Sequence, residues 1–107
     1  MPDPGNRRSS QARRGDVKFL LGDLHGAIAD YTESGGSSYN RGFAYEKLGK
    51  IEKAIADYTE VIERLESPDV PAWARHVNSS LPREGYGNRI SLDELKEIRD
   101  RLVGTPR

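Results

Sequence analysis

Apolar residues recur along this chain at spacings of three and four, the mark of helices with one buried face. Val17, Leu20, Leu21 and Leu24 open the pattern, Gly22-Asp23 interrupts it, and Ala27, Ile28 and Tyr31 resume it. This predicts two helices from Gln11 onward. The segment ESGGSS (Glu33–Ser38) ends the second, because each of the paired glycines would cost roughly 1 kcal/mol inside a helix. Tyr39, Phe43, Ala44 and Leu48 predict a third helix, stopped at Gly49. Ile51, Ala54, Ile55, Tyr58, Ile62 and Leu65 mark one face of a long fourth helix.

Past SPDVP (Ser67–Pro71) the signal weakens to a short candidate helix at about 71–79, carrying Trp73 and Val77. LPREGYGN (Leu81–Asn88) reads as a loop by composition. A last helix is predicted over 91–104. Ser91 with Glu94 has the spacing of a capping box, and Ile90 with Leu95 that of a hydrophobic staple. Leu95, Ile98 and Leu102 form its apolar stripe. At the other end, Pro2, Pro4, Gly5 and paired arginines over 1–9 read as a disordered basic tail. No stretch alternates with period two, so no sheet is predicted and the expected fold is all-α.

The word AIADYTE occurs at Ala27–Glu33 and again at Ala54–Glu60. Extending outward, residues 13–33 align with 40–60 without a gap: Arg14-Gly15 with Arg41-Gly42, Leu21-Gly22 with Leu48-Gly49, and Leu24 with Ile51. This resembles the tetratricopeptide repeat, a helix–turn–helix unit of about 34 residues. Gly15 and Gly42 match the family's small residue in helix A, Ala27 and Ala54 its small residue in helix B, and Tyr31 and Tyr58 the aromatic that follows. Tyr45 matches its large helix-A residue, where the first copy has Lys18. The resemblance implies two helical hairpins over 10–68, stacked as a short α-solenoid, with a partial repeat and loop over 69–90 and a capping helix at the C-terminal end. The copies lie 27 positions apart, so the first is expected to be short by about two helical turns. The apolar strip left beside Gly35-Gly36 could be covered by the segment with Trp73 and Tyr86 folding back or by a homodimer. The lean apolar content favours the dimer.

In this family helix A of each repeat lines a concave groove for partner peptides. Carried over by position, the resemblance implies a groove of Arg13, Asp16 and Phe19 from the first copy and Tyr39, Asn40, Phe43, Glu46 and Lys47 from the second. The amide of Asn40 suits a peptide backbone, which it can meet with donor and acceptor together. Tyr39 and Phe43 equally suit packing between helices. A lysine- and asparagine-based clamp for a terminal carboxylate is not implied, because Ala12 and Asp16 stand where it needs lysine and asparagine.

Composition narrows the function. Basic and acidic residues balance at 17 each, which argues against a nucleic-acid or membrane-surface protein. The cluster Arg7, Arg8, Arg13 and Arg14 leaves an RNA- or anion-binding helical protein as the alternative. No cysteine is present, which removes disulfides and thiolate chemistry. His25 and His76 are too far apart in sequence for a zinc pair and bring no further ligands. Asp30, Glu33, Asp57 and Glu60 are expected to face solvent. No catalytic constellation, metal site or cofactor motif is found, and no apolar run or leader marks a membrane or secreted protein. The expected protein is a cytoplasmic, non-enzymatic interaction module that binds a partner protein or peptide.

Overall fold

The computed structural model describes the backbone of residues 4–104 and the side chains of residues 10–104. Five helices account for most of it: α1 (Pro4–Leu20), α2 (Leu24–Ser34), α3 (Ser38–Lys47), α4 (Ile51–Leu65) and α5 (Leu92–Val103). Consecutive helices pack as antiparallel pairs, α1 on α2 and α3 on α4, with α2 against α3 and α5 against α4. The architecture is the expected all-α stack.

Helix α1 opens at Pro4, ahead of the expected onset at Gln11, so the tail expected over 1–9 has helical backbone from its fourth residue. A proline is tolerated in a first turn, where its missing N–H would have no helical partner. Residues 1–3 lie outside the described residues. Asp23 caps α2 by accepting from the Gly26 N–H at 3.0 Å. Gly35 stops it with φ +75°, a left-handed cap that a side chain would strain. Helix α2 has 11 residues and α4 has 15. The first hairpin is therefore short by about one turn rather than the two expected.

Two expectations fail between α4 and α5. Instead of a helix over 71–79 there is a three-residue 3-10 turn, Ala72–Ala74, and then strand β1 (His76–Arg83). It pairs antiparallel with β2 (Gly87–Ser91), so the segment read as a loop is the end of one strand, the turn at 84–86 and the start of the next, and a two-stranded sheet stands where none was expected. Trp73 does not fold back over the stack; it is 79% exposed.

The core has two parts. Around α3, α4 and α5 it gathers Tyr39, Ala54, Tyr58, Val61, Ile62, Leu65, Ile90, Leu95, Ile98 and Leu102. Around α1 and α2 it gathers Phe19, Ala27, Tyr31, Phe43, Ala44 and Leu81. Helix α5 enters through the full capping box: the Glu94 N–H donates to the Ser91 hydroxyl and the Ser91 N–H to the Glu94 carboxylate. Its Leu95, Ile98 and Leu102 are buried, each worth roughly 1.5–3 kcal/mol relative to exposure. No described helix is long and apolar enough to cross a membrane.

Candidate functional site

Each hairpin is held closed by the same set of contacts. A methyl group on Gly42 would come within 2.9 Å of the Tyr58 ring, and one on Gly15 within 2.8 Å of the Tyr31 ring. Only glycine leaves room for each ring at this distance without something shifting. Beside each ring a buried aspartate is paired across the hairpin. Asp57 accepts from Arg41 at 2.7 and 2.9 Å. Asp30 accepts from Arg14 at 2.9 and 3.2 Å and lies 3.1 Å from the Lys18 ammonium. These aspartates are 4% exposed, not solvent-facing as expected. The Arg14 hydrogen bonds hold Asp30 below the usual carboxylate range despite its burial. Glu33 and Glu60 are exposed as anticipated.

The tyrosine hydroxyls reach the inner face of α1 and α3. Tyr31 donates to Asp16, and Tyr58 donates to Glu46 at 2.8 Å. Burial raises both phenol pKa values, and the facing carboxylates raise them further, so both remain donors.

Across this face lies β1. The Ser80 hydroxyl donates to Asp16, whose carboxylate also accepts from the Asn40 amide at 3.2 Å. The amide oxygen of Asn40 accepts from the Ser79 hydroxyl at 2.6 Å. Leu81 is fully buried in the cluster that holds Phe19 and Phe43, whose rings stand 5.0 Å apart. Arg83 donates to both oxygens of Glu46, at 2.7 and 2.8 Å, and to the Tyr58 hydroxyl at 3.1 Å. Its guanidinium covers the Phe43 ring at 4.6 Å.

Residues 37–67, spanning α3, α4 and the turn between them, match the family model of the tetratricopeptide repeat. The chain carries a tetratricopeptide repeat. No curated protein and no solved structure matched the chain. The tetratricopeptide match stops short of the first hairpin, whose likeness to the second rests on the shared word and the shared contacts.

The groove residues expected from the tetratricopeptide resemblance do converge, apart from one. Asp16, Phe19, Asn40, Phe43 and Glu46 meet on the inner face and all take part in holding β1. Tyr39 is 4% exposed and packs against Phe43 and Tyr58. Lys47 is exposed, with its ammonium 5.4 Å from the centre of the Phe43 ring. Arg13 stands apart, exposed on α1.

What the sequence reading missed is the occupant. Ser79, Ser80, Leu81 and Arg83 belong to the site as much as the helices do. The available signal was the alternation Val77, Ser79, Leu81, Arg83, obscured because a serine and an arginine fill inward positions. Clefts remain at both ends of the seated strand. One of about 240 Å3 is lined by Asp16, Tyr39, Asn40, Arg64, Val77 and Ser80. One of about 210 Å3 is lined by Phe43, Glu46, Lys47, Arg83, Tyr86 and Arg101.

Asp16 accepts from Tyr31, Asn40 and Ser80, and Glu46 from Tyr58 and Arg83. Among the described residues no group of three or more His, Asp or Glu gathers as a metal site.

Proposed function

We propose that the chain is a cytoplasmic, non-enzymatic protein-interaction module whose inner helix-A face seats an extended segment of a partner protein or peptide. The observation that carries this reading is β1 itself. An extended strand already lies there, gripped through its side chains by Asp16, Asn40, Phe43 and Glu46. The tetratricopeptide match supports it, since such repeats commonly mediate contacts between proteins.

Affinity capture from an extract of the source cell, using the full chain beside Asn40→Ala and Lys47→Ala variants, tests it. Partners should be recovered by the unsubstituted chain and depleted by the variants; equal recovery would put the contact elsewhere. Capture should also persist from low to moderate salt. A steep loss would instead favour phosphate binding through the N-terminal arginines. Of that cluster, Arg14 is engaged with Asp30, which weakens the alternative.

Self-association is a second reading, favoured by one observation. Val17 and Leu20 on α1 and Leu21 just after it are 55%, 66% and 80% exposed, whereas the expected strip lay beside Gly35-Gly36. A symmetric pairing of α1 helices would cover them. Light scattering across a concentration range tests this, and a strict monomer would end it.

A further inference from the structure

If the inner face seats extended segments, as proposed above, its present occupant displays what it selects. The middle of β1 does little for the hairpin ladder. The strands pair at His76–Ser91, Val77–Ile90 and Asn78–Arg89, and then only at Arg83–Gly87, with the register broken between Asn78 and Arg83. The side chains in that gap serve the helices.

Three kinds of subsite follow along the strand. Asn40 and Asp16 offer acceptors to two successive hydroxyls, Ser79 and Ser80. The cluster around Phe19 and Phe43 takes one aliphatic side chain, Leu81, leaving none of it exposed. Glu46 then presents both carboxylate oxygens to Arg83, whose guanidinium lies over the Phe43 ring. One Arg83 nitrogen donates to both carboxylate oxygens and the other reaches the Tyr58 hydroxyl; a lysine has a single ammonium and cannot spread its contacts over two nitrogens in this way. The intervening Pro82 is exposed.

We propose that the groove selects an extended segment of pattern hydroxyl–hydroxyl–leucine–any residue–arginine, and that β1 is a built-in occupant which a partner segment of that pattern replaces. Because β1 is tethered, it competes at high effective concentration. A free segment therefore enters readily only when the hold of β1 is weakened.

The probe is a fluorescein-labelled peptide HVNSSLPR with blocked ends, read by fluorescence anisotropy against the full chain and its Arg83→Ala variant. The variant should bind at least about tenfold tighter, since one charge-assisted contact of the competitor is gone. That gain should vanish when the probe's arginine is replaced by glutamine, and again when Glu46→Gln is added to Arg83→Ala. A helical Arg83→Ala protein that binds the probe no better than the unsubstituted chain overturns the proposal. Binding a scrambled probe equally well overturns the pattern while leaving the face a peptide seat; binding neither probe removes both. Should Arg83→Ala lose its helical signal, amide exchange on the unsubstituted chain decides. Excess probe should speed exchange across Ser79–Arg83 relative to α4, and unchanged exchange there counts against the proposal.

Discussion

The two hairpins share a seven-residue word and the same internal contacts, yet they live in different surroundings. In the second, Ala44 on α3 is fully buried against the first hairpin, and α4 is covered by α5. In the first, the residue aligned with Ala44 is Val17, more than half exposed, and the one aligned with Leu48 is Leu21, four-fifths exposed. The repeated word therefore specifies the closure of a hairpin, not its stacking. Stacking comes from what the neighbours supply. The end helices make the same point, because a terminal helix needs a polar outer face. Helix α5 turns Glu97, Asp100 and Arg101 outward, while α1 and the turn after it expose Val17, Leu20 and Leu21.

The largest expected effect tests the internal contact in its two settings. Tyr58→Ala should cost about 3–5 kcal/mol, since its ring is fully buried beside Tyr39, Glu46 and Arg83. Tyr31→Ala should cost less, because it sits in the smaller cluster. Urea unfolding measures both, and the reverse order would mean that the first hairpin is the better supported. Next, Ala44→Leu should overpack the α2–α3 contact by about 1–3 kcal/mol. The aligned Val17→Leu should stay within about 0.5 kcal/mol, and equal thermal shifts would erase the distinction.

A smaller difference should appear in acid. The folded pKa of Asp30 is depressed by its Arg14 hydrogen bonds. The stabilisation is present above the unfolded value of about 4 and is lost as pH falls through the folded one. Arg14 is 60% exposed, so solvent screening keeps the effect modest. Asp30→Asn should flatten the decline of the denaturation midpoint below about pH 4, and an unchanged slope would assign that decline to other groups. The smallest effect belongs to Tyr39→Phe. The Tyr39 hydroxyl is buried and makes no hydrogen bond to the described residues. Removing it should therefore leave the melting temperature unchanged or slightly higher.

The helices were legible because apolar spacing and punctuation agreed, from Gly49 through the Ser91 capping box to the stripe of Leu95, Ile98 and Leu102. That Asp16, Asn40, Phe43 and Glu46 share a face was legible through the resemblance. The hairpin was not. Its inward positions include Ser79 and Arg83, which are satisfied by hydrogen bonds rather than by hydropathy, so no apolar alternation surfaced. The buried aspartates were misread for a related reason: a charge on an amphipathic helix normally belongs to the wet face. A signal existed in the repeat itself, where Arg14 precedes Asp30 by the same sixteen residues that separate Arg41 from Asp57.

The seating of β1 also bears on how the molecule folds. A stack of hairpins is quasi-one-dimensional, built from local contacts that form fast and fray from the ends. Ser80 reaches back 64 residues to Asp16, and Arg83 reaches back 37 to Glu46. These two long closures tie both hairpins to one strand. The chain must pay the loop entropy of that closure before gaining its contacts, so strand docking should follow hairpin formation. Once docked, the strand should couple the two hairpins so that they unfold together rather than fray separately.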